Sequence, residues 1–399
     1  MKVLKWSCKT LGIAFIALLM MSAGMVFNAT PAKADSGLIL PDGATMKIYG
    51  YTKLDMLWTD QAGGGTFAYT PGDVILDNAV GANTSKFIMH ARQSRLGFAT
   101  STPTELGKLK TKIETDFYGA GGNTHVSNSW GLRMRQAYGQ LGNLLFGQTW
   151  STFIDLNTYG DILDFGGPAG SLFIRQAMIR WTQPFNGGSF QFALENPHSS
   201  FLSKAAVYPT SGSSEIVPDI IARINFANDF GKYSIATMAR NLKVDEIIGG
   251  THFDDNAWGY AVSLNAAIPT YNKDTVILQF NFGDALGRYM ESEFADAFIN
   301  PTNGDIETCN QMGIVAGYRH FWTSNLRSSV LLSYAYRDND LAYVANTVTK
   351  DYKSVHANII WSPVKRVNIG AEYIYGYKEL ENSADGSMNR LECSFQFIF

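Results

Sequence analysis

The chain has 399 residues, 32 of them basic and 35 acidic, with 38 glycines and three cysteines. That balance supplies no basic field of the kind nucleic acid requires, and three cysteines supply no disulfide framework. Beyond the amino terminus no stretch approaches the roughly 18 consecutive apolar residues of a spanning helix, which excludes a helical membrane protein.

The first element is an export signal. Lys2, Lys5 and Lys9 precede a mostly apolar run over 11–26, and Ala32-Lys33-Ala34 follows as a small-residue cleavage site. We therefore expect a signal peptide over 1–34 and one mature domain over 35–399. Removing 1–34 takes away four lysines and no acid, leaving 28 basic against 35 acidic residues, a net charge of −7. Cys8 leaves with the signal; Cys309 and Cys393 are expected as free thiols.

From residue 46 onward, segments of about ten residues alternate apolar and polar side chains, the length a tilted strand needs to cross a bilayer. Over 107–119, Lys108, Lys110, Lys112, Glu114, Asp116 and Tyr118 share one face; Leu109, Thr111, Ile113, Thr115 and Phe117 share the other. Over 257–268, Trp258, Tyr260, Val262, Leu264, Ala266 and Ile268 alternate with small residues. Leu278, Phe280 and Phe282 alternate with Gln279, Asn281 and Gly283. The last strand carries Leu391, Cys393, Phe395, Phe397 and Phe399 on one face and stops on an aromatic. About sixteen such segments are expected, centred near 52, 93, 113, 135, 146, 178, 192, 222, 237, 262, 279, 316, 332, 356, 372 and 394.

Connection lengths alternate too. Short ones rich in Pro, Gly, Asn or Asp fall near 102–105, 139–143, 184–188, 228–232, 269–274, 323–325 and 362–365. Longer ones fall near 59–85, 120–130, 151–172, 197–216, 242–255, 284–308, 338–349 and 379–387. Short inner turns alternating with long outer loops mark an all-β, transmembrane antiparallel barrel, because only helices and closed barrels satisfy every backbone polar group in lipid. Lipid would lie against the apolar face and water against the polar one.

Charged residues on the polar face then set which solutes pass. Lys108, Lys110 and Lys112, then Arg133 and Arg135, then Arg180, Arg223 and Arg240 form a basic ladder over neighbouring strands. In the second strand Arg92 and Arg95 differ by an odd number. Leu96 and Phe98 suit lipid and place Arg95 in the lumen; Arg92 is left at a subunit contact, at a bulge or above the bilayer. The connection 151–172 carries Asp155, Asp161 and Asp164 before Phe165-Gly166-Gly167-Pro168, and could fold inward opposite the ladder as a constriction. The plainer alternative is that these charges solvate a wide wet channel.

Several runs resemble the DcaP-like porins of Gram-negative outer membranes: RQSRLGF at 92–98, LKTKIETDF at 109–117, RMRQAYG at 133–139, GQTWSTF at 147–153, DFGGP at 164–168 and RQ at 175–176. The resemblance is specific over roughly 86–200. It implies a homotrimer of sixteen-stranded barrels in outer-membrane lipid, each with a pore for small anionic solutes such as dicarboxylates. By position it points to Arg95, Arg133, Arg135 and Arg175 as pore residues. Some members carry a helical arm before the barrel, for which residues 35–45 are too short.

Two other readings compete. Ser354, His356 and Asn358 share a strand face and could imitate a nucleophile–base–orienter set of a hydrolase; on the polar face they would look away from lipid substrate. A plugged structural or adhesive barrel is the second, since 197–216 and 284–308 could cover the mouth. The histidines have no metal-ligand spacing, and neither catalysis, a cofactor nor a metal is expected.

Overall fold

The computed structural model describes residues 38–39, 43–204, 206–208, 214–248, 251–290 and 294–399. The expected signal segment 1–34 lies outside the described residues. Sixteen strands make up the wall: β1 Thr45–Thr59; β2 in two pieces, Lys86–His90 and Arg95–Thr104; β3 Gly107–Asn123; β4 Ser129–Leu141; β5 Leu144–Trp150; β6 Arg175–Phe185; β7 Gly188–Glu195; β8 Asp219–Asn228; β9 Gly231–Ile248; β10 Thr251–Pro269; β11 Thr275–Asp284; β12 Asn310–Phe321; β13 Leu326–Arg337; β14 Thr349–Trp361; β15 Val367–Leu380; β16 Asp385–Ile398. Each pairs antiparallel with the next. β16 returns to β1 in register from Tyr51↔Ile398 to Thr59↔Arg390, which closes the sheet and leaves no open edge.

Alternation becomes two environments. Leu278, Phe280 and Phe282 stand exposed on the outside of β11, while Gln279 and Asn281 between them are buried inside. Phe397 and Phe399 are exposed outward at the end of β16, and Glu392 and Ser394 are buried inward. A band of exposed apolar side chains around a polar interior is stable only where lipid, not water, meets the outside.

Closure needs one special residue. The lower part of β1 pairs with β2, and its Gly50 carbonyl accepts from the backbone N–H of Phe399 at 3.1 Å. A Cβ at Gly50 would lie 2.1 Å from the Arg95 carbonyl oxygen and 2.9 Å from the Phe399 ring. Only glycine lets the first strand, second strand and carboxyl end meet there.

Three connections differ from expectation. Strands run further than the pattern indicates: 120–130 and 379–387 shrink to hairpin tips at 124–128 and 381–384, and within 242–255 strand continues to Ile248 and resumes at Thr251. Long β-hairpins satisfy their own backbone bonds, so they can continue past the bilayer while their side chains turn polar.

The lumen is not filled evenly. Connections 60–85, 151–174 and 285–309 supply side chains to its interior. Phe153, Ile154 and Leu172 meet Leu286, Tyr289, Met290 and Phe294, and these pack on inward residues of the wall such as Ile221, Met238 and Tyr352. Tyr69 and Val74 pack with Ile374 and Met388. Part of the interior is thus dry core, where the alternation alone suggested water throughout. The inward faces of β8, β9, β10, β13 and β14 contain Ile221, Ala236, Met238, Ala261, Ala335 and Tyr352, and the loops supply matching apolar partners.

Candidate functional site

The opposite part of the wall, β2 to β6, stays polar. Arg95 points inward with Gly97, while Leu96 and Phe98 are exposed outside. On β3, Lys112, Glu114 and Asp116 face in. On β4, Arg133 grips Asp116 with a fork of two bonds, 3.0 Å from Nε and 2.7 Å from Nη2. Arg135 bridges both acids, donating to Glu114 at 2.8 Å and Asp116 at 2.9 Å. Such charge-assisted forks fix the guanidinium planes.

The pairing slips between Glu114↔Gln136 and Thr115↔Met134, leaving Arg135 as the extra residue of a bulge. The bulge turns Arg135 and Gln136 both inward. Gln136 donates to Glu114 at 3.2 Å and accepts from Thr149 at 3.0 Å.

Arg180 faces in between the exposed Ile179 and Trp181. Arg175 sits at the loop end of β6, its guanidinium 4.4 Å from the Trp150 ring centre and 5.2 Å from that of Phe173. Arg175 Nη1 and Arg180 Nε are buried donors with no hydrogen-bond acceptor among the described residues, and Arg95 Nε has only a long ion pair to Glu114 at 3.7 Å. On β2 to β6 six cations (Arg95, Lys112, Arg133, Arg135, Arg175 and Arg180) therefore face two acids, Glu114 and Asp116, a formal charge of +4 for these strands. The next acid, Glu195 of β7, is within electrostatic reach of Arg180 and accepts from Gln176 at 2.5 Å. Water reaches this wall: the side chains of Arg133, Lys112 and Arg95 are 33, 26 and 22 % exposed.

Lys108 and Lys110 continue the same face of β3 toward the short-turn end, where both are exposed. Arg92 lies in the break of β2. Its guanidinium is enclosed by the rings of Trp130, Phe67 and Tyr118 at 4.0, 4.2 and 4.8 Å, and Nε donates to the Phe117 carbonyl at 3.2 Å. A cation held by three aromatic faces keeps its charge without a carboxylate.

The connection 151–174 does fold inward, but its acids do not oppose the β2–β6 part of the ladder; of the ladder only Arg223 meets one of them. Asp155 binds Arg223 at 3.0 Å and accepts from Ser234 at 2.7 Å. Asp161 binds Arg327 at 2.5 Å. Asp164 binds Arg390 at 3.1 Å and accepts from the backbone of Tyr69 at 2.7 Å. Leu163 is gripped from both sides: its N–H donates to Glu372 and its carbonyl accepts from Lys53, each at 2.5 Å. These ties moor the loop against the far wall. The face it offers to the ladder is Phe165, stacked on Tyr118 at 4.3 Å, with Arg133 at 5.0 Å and Arg135 at 5.7 Å.

Two members of the ladder stand apart. Arg223 is a mooring post for the loop, donating to the Ile154 carbonyl as well as to Asp155. Arg240 is fully enclosed beneath the outer connections, bound to Asp296 at 2.7 Å, Asp219 at 3.2 Å and the carbonyl of Ala285 at 2.6 Å. Its inward parity follows the alternation, but β9 carries it above the open part of the lumen, so its charge is neutralised there.

Sequence reasoning missed the moorings Lys53, Arg327, Glu372 and Arg390, and the aromatic faces of Trp150, Phe165 and Phe173. It placed Glu114 and Asp116 on the lysine face without giving them their role; two acids two residues apart beside Lys112 are the signal that could have found it. Ser354, His356 and Asn358 do share the inner face. His356 Nδ1 lies 3.0 Å from Glu372 and Ser354 accepts from the Ala169 N–H at 3.1 Å, but both side chains are buried beneath the loops.

A family model described as DcaP outer membrane protein matches residues 25–399. No curated protein sequence matches the chain. Among solved structures, the outer membrane channel DcaP of Acinetobacter baumannii superposes with TM-score 0.77 at 20% identity, over 91% of this chain and 100% of that one. An anion-selective porin from Comamonas acidovorans gives TM-score 0.55 at 11% identity, over 89% of this chain and 100% of that one. OmpF of Salmonella typhi, in complex with daunomycin, gives TM-score 0.55 at 13% identity, over 90% and 99%. The superpositions establish the fold, and the family model an outer-membrane location.

Proposed function

From the premise that the chain belongs to the DcaP outer membrane protein family, we propose that this outer-membrane channel passes small hydrophilic anions, dicarboxylates foremost, along the β2–β6 wall. The supporting observation is the formal charge of +4 on β2–β6, together with guanidinium donors on Arg175 and Arg180 that have no hydrogen-bond acceptor among the described residues. A carboxylate can accept paired N–H bonds from a guanidinium, and two carboxylates on one small solute suit arginines on neighbouring strands. Arg133 and Arg135 are already forked to acids, so they set the potential, while Arg175 and Arg180 offer the free donors. Lys108 and Lys110 would extend the path toward the short-turn end. Arg240 is not part of this path.

A homotrimer with one pore per copy belongs to the same reading and rests on the resemblance. The described residues hold no group of three or more metal-ligating side chains, and the reading calls for no cofactor, catalysis or nucleic acid.

Planar-bilayer recording tests it. In a salt gradient the purified protein should show an anion-side reversal potential, three equal closing steps per inserted unit, and lower chloride conductance when succinate competes. Arg133→Gln with Arg135→Gln leaves Asp116 without an ion pair, while Glu114 keeps Arg95 and Lys112. The wall's formal charge falls from +4 to +2, so the reversal potential should move toward the cation side. A pore that is cation-selective from the start and indifferent to that change would sink the proposal.

A further inference from the structure

Exposed charge on this barrel is sorted along its axis. The end with the short turns, which in bacterial barrels faces the periplasm, carries Lys47, Lys108, Lys110, Lys232, Lys273, Lys365 and Arg366 as exposed bases. Exposed acids there are Glu105 and Asp229 among the described residues. None of the seven bases is ion-paired with another described residue. The other end reverses the sign. Asp73, Asp77, Asp305, Asp338 and Asp340 on three connections and Asp385 at the start of β16 stand exposed with no ion-pair partner among the described residues, and Asp245 and Asp254 add two that are paired. Exposed bases at that end are Lys204 and Lys353. The net charge of −7 expected for the mature chain and a basic inner wall are thus compatible, because most of the exposed unpaired acids lie at the outer rim.

We infer that the channel is electrically polar from mouth to mouth and conducts unequally in the two directions. The inference rests on the channel reading but not on which solute is carried. The zones are separated by an apolar band about 25 Å tall, while the Debye length is about 10 Å in 0.1 M salt, so neither cancels the other. Cations gather at the acidic outer mouth and anions at the basic inner mouth and along the β2–β6 wall. With the outer compartment positive, both ions are driven from the mouth where they are enriched toward the middle, and carriers accumulate there. With the polarity reversed, each ion must start from the mouth that excludes it, and the middle is depleted. Current is larger with the outer side positive. An anion arriving from outside meets the repelling rim before the attracting wall, so the rim limits its capture and the wall its transit.

The test is the current–voltage curve of the whole protein in symmetric potassium chloride. Orientation is read with Asn382→Cys, at an exposed outer position, and a membrane-impermeant sulfonated thiol reagent added to one chamber, with the parent chain as control. We expect about twofold more current with the outer side positive in 0.1 M salt, fading toward equality at 1 M, where the Debye length is about 3 Å. Lys108→Gln with Lys110→Gln, and separately Asp338→Asn with Asp340→Asn, should each flatten the curve. Equal currents at low salt, the opposite sign, or asymmetry untouched by both pairs would overturn the inference while leaving an open channel. A membrane that carries no current in either polarity would instead overturn the channel itself.

Discussion

Arg390 shows how much of this lumen depends on single side chains. It is fully buried, and its guanidinium reaches Asp164 at 3.1 Å, Thr59 at 3.2 Å, and the carbonyls of Gly64 at 2.9 Å and Gly65 at 2.5 Å. One residue of β16 therefore ties connection 151–174 to connection 60–85. Arg390→Met keeps much of the volume but leaves the buried Asp164 without its charged partner and takes the guanidinium donor from the Gly64 and Gly65 carbonyls, although Asp164 keeps the Tyr69 and Gly166 N–H bonds and Gly64 that of Thr70. Breaking a buried pair from one side costs about 3–5 kcal/mol. We expect a lower unfolding temperature in detergent and larger, noisier single-channel currents as both loops come loose. A quiet channel of ordinary conductance would show that Lys53, Arg327 and Glu372 suffice. None of these moorings was legible beforehand. Asp164 and its partner lie 226 positions apart, and an acidic loop facing a basic ladder is the simpler inference when only local order is visible.

At the scale of elements the alternation carried most of the information. Lipid on one side and water on the other impose a period of two, and fifteen of the expected centres fall within a strand. The sixteenth, near 93, falls in the break of β2, where the Arg92 cage replaces the ladder bonds. The β4 bulge was hidden for a related reason: an inserted residue changes parity without changing composition. Turns show what fixes the rest. The connection 270–274 ends in Asp274, whose carboxylate accepts from Tyr318 at 2.7 Å and the Phe321 N–H at 2.8 Å, with His320 Nδ1 at 2.7 Å. These bonds hold its pKa down to about 2. A depressed carboxyl pKa contributes stability above the unfolded value near 3.8, and that contribution is lost as pH falls toward 2. Asp274→Asn should therefore lower the unfolding temperature at pH 7 and erase part of the difference between pH 5 and pH 2. A parallel loss at both acidities would assign the clamp no role in acid sensitivity.

For the whole molecule, the division of the interior into a dry part and a wet part decides where solute can travel. Phe153 and Phe165 lie in the same inward connection but on different sides of that division. Phe153 is fully buried, edge-on to Tyr289 at 5.7 Å, in the apolar cluster that joins two connections to the wall. Phe165 lies on Tyr118 beside Arg133 and Arg135 and faces the polar wall. Truncating a buried phenylalanine costs about 3–5 kcal/mol, so Phe153→Ala should lower the unfolding midpoint markedly. Because its partners still fill that region, conductance should change little. Phe165→Ala removes less buried contact but clears the approach to the guanidinium groups, so it should raise single-channel conductance and weaken selectivity, with a smaller thermal shift. Measuring both quantities on both variants locates the passage. If Phe153→Ala opens the channel and Phe165→Ala does not, the current runs through the apolar cluster around Phe153, and the basic wall is a structural charge network rather than the path.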